Sequence, residues 1–215
     1  MTERILEIPI REKALGGILT VPTDPHGMIV FAHGSGSGRF SPRNQFVADH
    51  LNHSGFATLL FDLLTPKEEE LDDETGKLRF NIEFLTDRLV VTADWLREHF
   101  GLFDMPFGFF GASTGAAAAL AAATKRPFVV RAVVSRGGRP DLASASLAFV
   151  QVPTLLVVGG NDPVVLELNR NALEQLPVPQ KQLEIVPDAT HLFEEPGALE
   201  KVAQLASQWF LDYLL

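Results

Sequence analysis

Residues 107–115 constrain the fold more than any other stretch. The apolar run Phe107-Gly108-Phe109-Phe110 leads into Gly111-Ala112-Ser113-Thr114-Gly115, and residues 116–123 continue as an alanine run broken only by Leu120. Strand, Gly-x-Ser-x-Gly and helix in direct succession make a sharp turn that lifts a serine hydroxyl to the edge of a sheet. A turn that tight leaves no room for bulk. Gly111 and Gly115 relieve the crowding, and the alanines let the helix pack close to the strands. The helix N-terminus would then aim its free N–H groups and positive dipole end at any oxyanion formed beside Ser113. The motif is short, and a tight turn with an incidental serine is the plain alternative. The flanking strand and helix favour the chemical reading.

The rest of the chain supplies a sheet for this turn. Residues 5–10 alternate apolar and polar, and 14–21 follow after Arg11-Glu12-Lys13, which reads as an antiparallel hairpin. Segments 28–32, 57–61, 107–110, 132–134 and 154–158 are short and apolar, as strands buried on both faces are. Segment 182–186 is less apolar and suits a sheet edge. Helical stretches are expected at 42–53, 80–100, 114–124, 163–176 and 197–215. The insertion 63–79, with its acidic run 68–74, reads as an irregular, solvated loop beside the pocket. Strand and helix alternate throughout, which implies a mostly parallel sheet covered on both faces. A hairpin, then a doubly wound eight-stranded sheet with a serine elbow after the fifth strand, is the α/β-hydrolase arrangement. Only about fifteen residues join segment 132–134 to the next strand, too few for a sizeable cap domain.

Composition narrows the function. At 215 residues, 46% hydrophobic and 21% charged, the chain is expected to form one globular domain over 1–215. A net charge of −9 offers no basic stripe for phosphates, so nucleic acid is not an expected partner. The chain has no cysteine, which removes disulfides, thiolate metal sites and a cysteine nucleophile. The charged, alternating residues 1–7 lack a signal-peptide core, and no apolar run approaches the roughly 18 residues of a membrane span. A cytoplasmic location with no membrane partner is expected. The sequence gives no reading of oligomeric state.

A serine hydroxyl is a weak nucleophile until a base takes its proton, and the base needs an orienting acid. In this fold the three follow in the order Ser, Asp or Glu, His. Asp162 stands in Gly159-Gly160-Asn161-Asp162-Pro163 after segment 154–158, and His191 follows the last strand in Asp188-Ala189-Thr190-His191. Both lie beyond the carboxyl ends of strands, where parallel sheets build sites. Asp162 could instead cap the helix opening at Pro163. Asp188 or Glu194 could replace it as the partner of His191. His26, His33, His50, His53 and His99 compete as bases, but none follows the last strand. His50 and His53 share a helix without an evident third ligand, so no metal is expected.

The glycine-rich turn His33-Gly34-Ser35-Gly36-Ser37-Gly38 lacks the spacing of a phosphate-binding loop. It places the backbone N–H of Ser35 as an oxyanion donor, paired with the N–H of Thr114 after the nucleophile. His33 is expected to brace this turn. Several arginines fall near the same edge. Arg39, Arg136 and Arg139 are candidates for binding a substrate anion, since a guanidinium fork matches a carboxylate. The competing reading pairs them with local acids such as Asp62, Asp141, Glu194 or Glu195.

The motifs Phe31-Ala32-His33-Gly34-Ser35-Gly36-Ser37, Gly111-Ala112-Ser113-Thr114-Gly115, Gly159-Gly160-Asn161-Asp162 and Ala189-Thr190-His191 resemble those of the dienelactone hydrolase family, over nearly the whole chain. The resemblance implies an α/β-hydrolase fold, no cofactor, and esterase or lactonase chemistry on a small ester or lactone. It implies Ser113 as nucleophile, Asp162 as acid and His191 as base. The family's namesake enzymes carry cysteine at the elbow. With serine there, carboxylesterase chemistry on small or short-acyl esters is expected. Acyl transfer or perhydrolysis by the same groups, and a non-catalytic ligand-binding module, are the alternatives.

Overall fold

A computed structural model describes residues 1–215. Eight strands form one sheet in the order β1-β2-β4-β3-β5-β6-β7-β8. The hairpin β1 (Thr2–Ile10) and β2 (Lys13–Val21) occupies one edge and pairs antiparallel, as β2 does with β4 (Ala57–Phe61). All remaining pairings are parallel, through β3 (Met28–Ala32), β5 (Phe107–Ala112), β6 (Val130–Arg136) and β7 (Thr154–Gly159) to β8 (Lys181–Val186) at the far edge. The middle strands β3, β4, β5 and β7 are buried along their whole length. Their runs are therefore apolar without alternation.

Helices cover both faces. On one face, α1 (Pro42–His53) and α7 (Ala198–Leu214) pack over a core that includes Phe31, Phe110, Val134, Val157 and Phe210. On the other face, α3 (Ile82–His99), α4 (Thr114–Lys125) and α6 (Pro163–Gln175) cover Val30, Phe109 and Val133. Residues 114–123 of α4 are all buried. Alanine suits them, because it has the highest helix propensity and brings the helix axis close to the strands. Between β6 and β7 the chain makes a 3-10 turn (Pro140–Ala143) and one helical turn, α5 (Ser144–Leu147), with no cap. No helix is long and apolar enough to cross a membrane.

The strand order reverses at β3. The chain leaves β3 for β4 on one side and then crosses to β5 on the other. Ligands of open α/β sheets bind at such a reversal. Here it sets the glycine-rich turn after β3 beside the elbow after β5.

The insertion 63–79 is more ordered than its acidity suggested. Residues 66–75 form a helix, α2 (Pro66–Thr75). Thr65 caps it, accepting from the Glu68 N–H while the Glu68 side chain accepts from the Thr65 N–H, and Gly76 closes it in a left-handed conformation at φ 62°. Glu68 and Glu69 also sit in its first turn, where the helix dipole favours them. The helix expected at 80–100 starts at Ile82, because Asn81 caps it through Phe84 N–H at 3.1 Å.

Candidate active site

Ser113 joins β5 to α4 at φ 51° and ψ −119°. A residue with a Cβ holds this conformation at a cost of about 1–3 kcal/mol, recovered only if the surroundings demand it. They do so through three backbone bonds. The Ser113 N–H donates to Arg136 O at 3.1 Å, and Ser113 O accepts from Ala116 and Arg139, each at 3.1 Å. Ser113 precedes the helix in the capping position but makes no side-chain cap bond, which leaves its hydroxyl for other work. Neighbouring glycines permit the close packing. A Cβ on Gly111 would strike the Ala116 backbone, and one on Gly115 would strike the carbonyls of Ala32 and His33. On Gly34 it would lie 3.1 Å from Ser113 Cβ, so the glycine-rich turn rests directly on the elbow.

Asp162 and His191 meet. Asp162 precedes α6 in the capping position, yet its side chain makes no cap bond; its Oδ2 lies 2.7 Å from His191 Nδ1. The capping alternative therefore fails, and the carboxylate belongs to the histidine. With the carboxylate as acceptor, Nδ1 carries the proton and Nε2 keeps its lone pair. Neither rival carboxylate bonds to the His191 ring. Glu194 pairs with Arg43 at 3.0 Å, and Asp188 sits at φ 62° with its carbonyl accepting from Asn161. His191 reaches the elbow region through Gly137, where a Cβ would lie 3.5 Å from His191 Cε1.

His33 braces the glycine-rich turn. Its Nε2 accepts from Leu63 N–H at 2.9 Å, so Nδ1 holds the proton and donates to Gly34 O at 2.8 Å. Burial pushes its pKa below the ordinary value, despite raising contributions from Gly34 and Glu69. A neutral ring is what this pair of bonds requires. The Ser35 N–H has no intramolecular acceptor, and Thr114 opens α4, where N–H groups lack helical partners. Both residues line one cleft with Leu63, Glu69, Asp73 and Leu85.

Glu69 and Asp73 reach that cleft from α2, a helix where the sequence predicts a loop; Thr65-Pro66-x-Glu68 is the capping signal that marks its start. Asp72, fully buried, fastens α2 by accepting from Leu78 N–H at 2.6 Å and from Arg79 Nε at 2.5 Å. Burial alone would raise its pKa, but the Arg79 guanidinium and the backbone donors outweigh it and hold the carboxyl below its ordinary value. Its contribution to stability is thus present above the ordinary carboxylate range and lost as pH falls through the depressed value. Asp72→Asn is expected to cost about 2 kcal/mol near neutral pH. The gap from wild type should close on acidification, read from urea midpoints at the two pH values.

The arginines divide. Arg39 pairs with Asp62 and stacks over Phe40, its Cζ 4.4 Å from the ring centroid. Arg139 clamps Asp141 with two bonds of 2.8 and 2.7 Å. Arg136 has no acidic partner, and its Nε and Nη1 are buried without a hydrogen bond.

Fold and site together define an α/β hydrolase without a lid. The sequence profile of the dienelactone hydrolase family matches residues 15–214, and the chain belongs to that family. It is 54% identical to a dienelactone hydrolase from Anabaena variabilis whose crystal structure superposes with a TM-score of 0.96, covering 100% of this chain and 99% of that one. A lidless serine hydrolase from Xanthomonas campestris has the same fold at a TM-score of 0.78 and 18% identity, covering 98% and 94% of the two chains. Two proteins from strains of Mycobacterium tuberculosis, provisionally named phosphoribosyl transferases, are each 58% identical over 201 residues. The match covers 93% of this chain but 44% of those proteins, so the chain spans less than half their length.

Proposed function

We propose that this chain is a serine hydrolase of small or short-acyl carboxylic esters, lactones included, working through an acyl-enzyme on Ser113. The observation that carries the reading is the 2.7 Å contact between His191 and Asp162, on loops after β8 and β7, at the sheet edge where Ser113 is held in a strained turn. In this reading His191 Nε2 takes the hydroxyl proton of Ser113 as its Oγ attacks the ester carbonyl. The N–H groups of Ser35 and Thr114 receive the tetrahedral oxyanion. Asp162 stabilises the imidazolium, which then protonates the departing alkoxide. Water activated by the same histidine releases the acid. The open, capless cleft favours short substrates. The transferase name attaches to proteins of which this chain matches 44%, and no observation on the site favours that chemistry.

The test uses p-nitrophenyl acetate and a fluorophosphonate. The purified protein is expected to release p-nitrophenolate and to take up one phosphonyl group, located on the peptide holding Ser113. Turnover without labelling of Ser113, or a folded protein inert to both reagents, overturns the reading.

A further inference from the structure

We propose that Arg136, with Arg43 beside it, forms a subsite for an anionic group, carboxylate or phosphate, on the ester that Ser113 attacks. The proposal rests on the hydrolase reading above. Only two arginines are buried, Arg88 at 9% exposure and Arg136 at 7%. Arg88 pairs with Glu68 at 2.9 Å; Arg136 pairs with nothing, and two of its three guanidinium nitrogens are enclosed without an acceptor. A buried unpaired charge is among the costliest groups a fold can hold. Burial, with the like charge of Arg43 adding to it, pushes Arg136 down to about 10, so it remains a cation at neutral pH.

Its position explains what would offset that cost. Ala132 and Val134 face the layer of α1 and α7, and strand alternation puts Arg136 on the same face. Its own carbonyl holds the Ser113 N–H, and the next residue, Gly137, touches His191. Arg43 stands in the first turn of α1, where the helix dipole adds positive potential, and its Nε is likewise buried without a partner. Its one acidic contact, Glu194, is 64% exposed and can yield to a ligand. Across the elbow the cleft wall on α2 is acidic, with Glu69 and Asp73. The site is therefore polarised, and an anionic arm belongs on the α1 side. A guanidinium fork receives a carboxylate or a phosphate equally well.

The test compares p-nitrophenyl esters of acetate, succinate and phosphonopropionate in wild type, Arg136→Met and Arg136→Lys. The ratio of kcat/KM for the anionic esters to that for acetate is expected to fall tenfold or more in Arg136→Met, on the order of one charge-assisted contact, mainly through KM. Lysine should restore part of it. A second series reads binding without turnover. Succinate or inorganic phosphate should raise the Tm of Ser113→Ala and fail to raise that of the Ser113→Ala, Arg136→Met double variant. The ligand-free Tm of Arg136→Met should exceed wild type, since an unpaired charge leaves the interior; a fall would mark a structural arginine and overturn the proposal. Anionic and neutral esters declining together would overturn it as well. A Tm response without ester discrimination would mean a site for free anions, and the substrate assignment would fall. Failure of the hydrolase reading looks different: wild type would be inert toward all three esters, which removes the substrate assignment while the Tm series still decides anion binding.

Discussion

Asp162→Asn is expected to lower kcat for p-nitrophenyl acetate by about 10⁴-fold while the protein stays folded. The carboxylate lies 2.7 Å from His191 Nδ1, and in the proposed mechanism it holds the proton there and leaves Nε2 free to act as base. An asparagine amide can turn its NH₂ toward the ring and favour the other tautomer, whose Nε2 carries a proton and cannot take another. It also removes the negative charge that would stabilise the imidazolium in the transition state. Stability should change little. Asp162 makes no cap bond to α6, and its side chain is only partly buried, so neither a helix nor a core depends on it.

Two controls sharpen this. Asp188→Asn tests the acid that is nearest to His191 in sequence, and kcat should stay within about twofold, because its contacts run through the backbone and not to the ring. Far-ultraviolet circular dichroism and Tm of Asp162→Asn should match wild type. A loss of only a few fold in Asp162→Asn would mean that a different acid orients the histidine, and the assignment of the three roles would need rebuilding.

The sequence made some of this legible and hid the rest for identifiable reasons. Strand positions were readable because β3, β4 and β7 are buried on both faces and thus written in apolar residues alone. The elbow was readable because its crowding leaves no room for a side chain at Gly111 or Gly115. Helix α2 was not, because seven of its ten residues, Lys67 to Asp73 apart from Leu71 together with Glu74, are charged and no apolar stripe reports a helix. Its ends hold it instead, through the Thr65 and Glu68 box and the Asp72 anchor, and end signals are easily lost inside an acidic run. Nor could sequence separate the three arginines. Arg39 and Arg139 find acids at separations of twenty-three and two residues, whereas Arg136 is distinguished only by the absence of one, which depends on the face it occupies.

Gly115→Ala is expected to destabilise the protein by about 3 kcal/mol and to lower Tm by about 10 °C. Two effects oppose each other at this position. Gly115 lies in the first turn of α4 and does not have positive φ, so alanine gains up to about 1 kcal/mol in helix propensity. Against this, its Cβ would overlap the carbonyl oxygens of Ala32 and His33, which are backbone atoms of β3 and the start of the glycine-rich turn. A flexible side chain could swing aside at small cost, but a buried central strand cannot, so α4 must lift from the sheet. Displacing α4 loosens the ten buried residues 114–123 and shifts the Thr114 N–H with them. Stability and hydrolysis should therefore fall together. Gly197→Ala is the comparison: there φ is 80° and no atom lies within 4 Å of the added carbon, so only the backbone preference is lost, about 1 kcal/mol. Differential scanning calorimetry of the two variants separates crowding from conformation. If Gly115→Ala proved no worse than Gly197→Ala, the close approach of α4 to β3 would not be what holds the elbow in place.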